Sequence, residues 1–430
     1  MNTFEKHESN VRGYIRNFPT VFSKAKDANL IDQDGTQYID FFAGAGVLNY
    51  GHNNTELKEA VMDYMAEDGI VHGLDMGTEA KETFLKTFHE VILKPRGMDY
   101  KIQFPGPTGT NAVESALKLA RKVTGRTNVV SFTNAFHGMT AGALALTGNA
   151  SKRAGAGVPL NNVTTMPFDG YMGKDVDTLD YFEKTLKDAG SGIDKPAAVI
   201  VETVQGEGGI NLAGWKWLRR LRAICTQYDI LMIVDDIQMG CGRTGPFFSF
   251  EPAAVMPDLI CLSKAISGLG LPMALVLIRP DLDIWKPGEH NGTFRGNNLA
   301  FVSAAKALDY WRDGMLEEDV AIKGRRIRER LSEIVDAHPE ANLRVRGRGM
   351  IQGLVSEDEG LAVDICQEAF ENGLVMETAG VDDQVAKIMP PLTIDDLTLE
   401  KGLQTLVEAA ARVIKKRASE DSTENATDAA

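Results

Sequence analysis

The sequence predicts an α/β protein in which helices cover both faces of a mostly parallel central sheet, with a smaller α+β domain beside it. Three observations carry that prediction. Short β-rich runs alternate with helical patterns through the middle of the chain, as a layered α/β sandwich requires. Those runs are continuously apolar, the mark of strands covered on both faces. After about Leu308 the pattern changes to long helices and short strands with no comparable buried run, which places the second domain there.

Taken in order, the stretch to about Ser23 lacks sustained periodicity and reads as an arm. Residues 1–60 are expected to hold this arm and part of the small domain, 61–308 the large domain, and 309–418 the rest of the small one. The tail, 419–430, is polar, acidic and small, so disorder is expected there. Candidate strands are 128–132, 197–204, 231–237, 258–263 and 273–278. A helix over 215–228 puts Trp217, Leu221, Ile224 and Tyr228 on one face. Another opens at Thr108-Gly109-Thr110, lines up Ala112, Ala116, Leu119, Ala120 and Val123, and stops at Gly125.

Composition bounds the function. A chain of 430 residues suits one large and one smaller domain. The formal net charge of −14 argues against nucleic acid, which rewards clustered Lys and Arg. No apolar run reaches the length of a membrane span, and the polar N-terminus is unlike a secretory signal. Cys225, Cys241, Cys261 and Cys366 are scattered without metal-ligand spacing, so they are expected reduced and packed, in the cytoplasm, and no metal site is predicted.

The chemistry is positional. Asp235 and Asp236 end the run LMIV, Glu202 ends AAVIV, and Lys264 ends DLICLS. Carboxyl ends of parallel strands line a common crevice where ligands bind. A structural salt bridge between Lys264 and Asp235 or Asp236 is the plainer alternative. Thr108-Gly109-Thr110 opens a helix N-terminus, where free N–H groups and the dipole favour a phosphate. Phe136 and His137 follow the run NVVSF; they are either core residues or a ring placed to stack on a flat heteroaromatic group. No GxxxxGKS pattern is present, which removes the main warrant for a P-loop site.

As an ordered series, these segments resemble the class III (ω-amino acid) aminotransferases over nearly the whole chain. The series comprises AGAGVLNYGHNN (43–54), PTGTNAVESALKLAR, AFHG, ETVQGEGG (202–209), VDDIQMGCGRTG (234–245), LSKAISGLGLP (262–272) and GTFRGNNLA (292–300). Asp235 and Lys264 stand 29 residues apart, as in that family. The resemblance implies fold type I and the cofactor pyridoxal 5′-phosphate. By it, Lys264 carries the cofactor aldehyde and shuttles a proton, and Asp235 keeps the pyridine nitrogen protonated. Gln238 partners the ring's phenolic oxygen, Phe136 stacks, and Glu202 sits in the polar network behind, with His137 beside Phe136. Gly109 and Thr110 hold the phosphate, and Thr293 reaches it from a neighbouring subunit. That makes a homodimer the minimal unit; family members also form tetramers and hexamers. Glu207 resembles the gate that pairs with an Arg before a PPL-like segment, but this chain has Lys387 there, a point donor in place of a bidentate clamp; either Lys387 does that work less rigidly or another residue such as Arg243 helps.

The segments 8–22 and 73–81, Arg295 and Lys387 resemble the branch that moves the amino group of L-glutamate to L-aspartate 4-semialdehyde, giving L-2,4-diaminobutyrate and 2-oxoglutarate. That branch feeds ectoine synthesis and is associated with potassium. The alternatives are an ω-aminotransferase for 4-aminobutyrate, ornithine or acetylornithine, and an aminomutase that needs no external oxo acid.

Overall fold

This computed structural model describes the backbone of residues 2–428 and the side chains of residues 3–420. Seven strands form the central sheet, in the spatial order Lys101–Gln103, Leu275–Ile278, Leu259–Leu262, Leu231–Asp235, Ala198–Val201, Val129–Phe132 and Val163–Met166. The five from Leu259–Leu262 to Val163–Met166 run parallel. All five runs predicted as strands are present, each trimmed by one to four residues. Leu275–Ile278 is antiparallel to both of its neighbours, a direction that its apolar run could not reveal. Two strands escaped the sequence reading. Lys101–Gln103 is short and partly exposed, and Val163–Met166 carries two threonines on an edge.

Helix Gly109–Thr124 packs Ala112, Val113, Ala116, Leu119 and Ala120 into the layer beside Ile200, Ile233 and Cys261. Its N-terminus carries a capping box between Thr108 and Asn111, and Gly125 ends it at φ 68°. Helix Trp215–Gln227 covers the other layer through Trp217, Leu218, Leu221 and Ile224.

Beyond the central sheet, Phe22–Lys26, Asn29–Asp32 and Gln37–Asp40 form a sheet with Leu374–Val375, so the N-terminal strands pair with a strand from far down the chain. A further four-stranded sheet joins Arg344–Arg348, Ile351–Val355, Val385–Ile388 and Glu377–Ala379. One expectation fails here. The run IQGLV is buried along its whole length, although no buried run was expected beyond Leu308. Gln352 disguised it: the side chain is buried because its Nε2 donates to the carbonyls of Gly324 (2.6 Å) and Gly349 (2.8 Å). The last helix, Asp396–Asp428, extends into the segment expected to be a tail, and residues 429 and 430 lie outside the described residues. All four cysteines are free and buried. No helix of the described residues is long and apolar enough to cross a membrane.

Candidate active site

The carboxyl ends of the parallel strands converge on a cavity of about 180 Å³. Gly109, Thr110, Phe136, His137, Glu202, Glu207, Asp235, Gln238 and Lys264 all line it, so nine of the residues singled out in the sequence meet at one place. Val204, Ile237 and Met239 supply apolar wall. At the floor, Asp235 ends its strand and is buried, with His137 Nδ1 2.7 Å from its Oδ2 and the Ile237 N–H on Oδ1 at 3.2 Å. The His137 backbone N–H donates to Thr147 Oγ1 at 3.1 Å, which fixes the ring from behind. Glu202 lies next to this pair and accepts the Phe136 N–H at 3.0 Å. Burial, with Asp235 adding to it, pushes the Glu202 carboxyl well above the usual range.

Lys264 begins a short 3-10 turn straight after its strand and takes φ 51°, a left-handed conformation that a lysine holds only under constraint. Its Nζ donates to the Ala45 carbonyl at 2.9 Å. Burial lowers the pKa of this ammonium; Lys387 adds to the effect, while Glu207 opposes it. The shift favours the neutral, nucleophilic amine. The same Ala45 carbonyl accepts Gln238 Nε2 at 3.0 Å. It is presented by a left-handed run, with φ of 47°, 58°, 56° and 89° at Ala43, Gly44, Ala45 and Gly46. Asp40 secures the start of that run by accepting the Phe42 and Ala43 N–H groups, both at 2.8 Å.

At the mouth, Thr110 Oγ1 is 2.7 Å from Thr140 Oγ1, and Thr140 donates to Glu114 at 2.6 Å. The glycines here are needed for space. A Cβ on Gly109 would come within 3.0 Å of Ile237, one on Gly138 would meet Thr110, and one on Gly206 would run into Gln238 Oε1. On the far side, Gln238 Nε2 also donates to Glu207 Oε1 at 2.9 Å, and that oxygen accepts Lys387 Nζ at 3.0 Å. Burial alone would raise the Glu207 carboxyl, but Lys387 and Lys264 outweigh it and hold it far below the usual carboxylate range. Lys387 has no exposed side-chain surface and meets Glu377 Oε1 at 2.8 Å as well. Burial would lower its pKa, and the two carboxylates instead keep it firmly protonated.

Two of the singled-out residues lie elsewhere. Arg243 is fully buried outside the cavity, with Nη1 on the carbonyls of Met350 and Pro390 and Nη2 on Asn49 Oδ1. It therefore cannot assist Lys387 with a substrate. Thr293 is exposed, and its carbonyl faces His72 Nε2 at 3.0 Å. Sequence reasoning missed the Ala45 carbonyl, Glu377 and Tyr14. Burial, together with Glu377 and Glu207, pushes the Tyr14 hydroxyl up to about 12, which places that arm residue in the same electrostatic field. Only strand pairing brings Glu377 to Lys387, so no local pattern could have found it.

Residues 12–410 match the aminotransferase class-III family. The chain is a class III aminotransferase. It is 57% identical over 417 residues to a diaminobutyrate–2-oxoglutarate transaminase of Halalkalibacterium halodurans, covering 97% of this chain and 98% of that one. It is 59% identical over 409 residues to the same-named protein of Nocardia farcinica, covering 95% and 93%. The ornithine aminotransferase of Toxoplasma gondii superposes with a TM-score of 0.85 at 26% identity, over 96% of this chain and 95% of that one. A transaminase from the marine bacterium Virgibacillus shares the fold, with a TM-score of 0.86 at 21% identity over 96% and 99%.

This aminotransferase uses pyridoxal phosphate, and its cavity fits that group. A buried carboxylate lies at the floor for a ring cation, a helix N-terminus at the mouth for a phosphate, and a half-buried amine between them for an aldehyde. His137 Nε2 is buried without a hydrogen-bond partner, a polar atom that a polar group entering the cavity could satisfy.

Proposed function

We propose that the chain transfers the amino group of L-glutamate to L-aspartate 4-semialdehyde, forming 2-oxoglutarate and L-2,4-diaminobutyrate. The observation that carries this reading is identity of 57–59% over nearly the full length of relatives that bear the name of that reaction. The Lys387–Glu207 pair supports it, because the two substrates react at different carbons and need a pocket end that can change partner.

The site residues divide the work. Gly109 and Thr110 would hold the cofactor phosphate, Phe136 would face its ring and Gln238 its phenolic oxygen, all four lining the cavity, and Thr293 would reach the phosphate from a second copy. Asp235, braced by His137, would keep a proton on the ring nitrogen. When bound, pyridoxal phosphate supplies a carbonyl to accept the amine and a ring that stabilises negative charge at the reacting carbon. Lys264, whose Nζ donates to the Ala45 carbonyl, would hold the cofactor and serve as the base that takes and returns the proton at that carbon. The apolar wall of Val204, Ile237 and Met239 limits water there. The same reading makes a homodimer the smallest complete unit, with a large cofactor-binding domain over 61–308 and a small one assembled from both chain ends.

The test is a substrate panel on purified, cofactor-loaded protein. Glutamate is supplied with aspartate 4-semialdehyde, and diaminobutyrate, 4-aminobutyrate and ornithine are each supplied with 2-oxoglutarate. Preference for the diaminobutyrate pair supports the reading. Preference for another ω-amine sinks it, and turnover without any oxo acid replaces it with an aminomutase.

A further inference from the structure

Lys387 faces two carboxylates where one would balance it. Its Nζ lies 3.0 Å from Glu207 Oε1 and 2.8 Å from Glu377 Oε1. Burying a second acid beside an ammonium that is already paired adds desolvation without a matching charge. The two acids are also held differently. Glu377 stands directly opposite Lys387 in the antiparallel pairing of Glu377–Ala379 with Val385–Ile388, so the ladder register fixes it. Glu207 lies in the turn between the two-residue strands Val204–Gln205 and Asn211–Leu212 and lines the cavity, where Gln238 shares it.

A substrate carboxylate that reaches Lys387 must take the place of Glu207, since like charges repel. Glu377 stays behind, 2.8 Å from Nζ, so the ammonium that such a substrate meets already faces an acid. With Glu207 in place and both acids ionised, the three groups carry one net negative charge. That charge suits a substrate ammonium.

We propose that Glu377 is a positioning residue that sets specificity. As the fixed counter-ion of Lys387 it loosens this pocket end's hold on the carboxylate of a dicarboxylate, and it favours a substrate that brings a non-reacting ammonium there. In the proposed reaction that substrate is L-2,4-diaminobutyrate and the dicarboxylates are glutamate and 2-oxoglutarate, so this part of the inference rests on the substrate pair given above.

The experiment compares the cofactor-loaded wild type with Glu377→Gln, a change that keeps size and removes charge. Glutarate, a dicarboxylate with no reacting group, is titrated by calorimetry, and KM is measured for 2-oxoglutarate and diaminobutyrate. The glutarate Kd and the 2-oxoglutarate KM are expected to fall about tenfold while the diaminobutyrate KM rises. A glutarate Kd that is unchanged or weaker overturns the proposal. Should the Gln variant not fold, Glu377→Asp, with its carboxylate one methylene short, is expected to shift the glutarate Kd in the same direction by less; no shift overturns the proposal equally. If wild-type protein does not turn over diaminobutyrate, the substrate reading fails on its own, and the glutarate titration still decides the role of Glu377.

Discussion

Replacing Lys387 by Met tests the charge balance of the site most directly. The side chain is fully buried between Glu207 and Glu377, and Met matches its length without its charge. Removing one partner of a buried ion pair destabilises by about 3–5 kcal/mol, because the other is left uncompensated. The dependence on pH should also reverse. In the native protein Lys387 helps hold the folded pKa of Glu207 below its unfolded value. That contribution is present above the unfolded pKa and lost as pH falls through the folded one. Without Lys387, buried Glu377 and half-buried Glu207 face one another and their folded values rise. Their contribution is then complete below the unfolded value, near 4.3, and is lost as pH rises, at about 1.4 kcal/mol per pH unit for each group that titrates. Thermal unfolding of both proteins at equal cofactor concentration, between about pH 5 and 8, reads this out. The variant's midpoint is expected to drop toward high pH relative to wild type, with the glutamate KM raised. Parallel midpoint curves would refute the reasoning, since they would mean that Lys387 compensates neither acid.

Three further outcomes are expected. Asp235→Asn keeps the shape but removes the charge that faces His137 at 2.7 Å, and kcat should fall by roughly 10²–10³-fold while the protein still unfolds cooperatively. Gly206→Ala would drive a Cβ into Gln238 Oε1, so a loss of about 1–3 kcal/mol and a weaker grip on the cofactor are expected, measured by unfolding and cofactor titration. Asp236 is fully buried, and burial pushes its pKa up to about 7, partly offset by Ser249. Its raised value makes a contribution that is complete below the unfolded pKa and lost as pH rises through about 7. Asp236→Asn should therefore flatten the decline in stability between about pH 4 and 7, and an unchanged slope in pH-resolved unfolding would count against that burial.

The sequence by itself determined the layered fold and the floor of the site. Short continuous apolar runs alternating with helical patterns read as strands covered on both faces, and a shared chain direction then brings Glu202, Asp235 and Lys264 to one crevice. The capping residue Thr108 and the stop at Gly125 likewise made the phosphate-side helix legible, because caps and glycine stops act within a few residues. Tertiary structure decided what depends on distant partners. The antiparallel direction of Leu275–Ile278 is set by Leu259–Leu262 and Lys101–Gln103, and its own side chains look the same either way round. Arg243 read as a spare cation for the pocket until its carbonyl partners at Met350 and Pro390 were in place. Lys387 is matched with Glu377 by strand register and with Glu207 across 180 residues of chain. Short-range patterns fix secondary structure because backbone sterics and burial period act locally, whereas a buried charge takes its state from whichever groups the completed fold brings within a few ångströms.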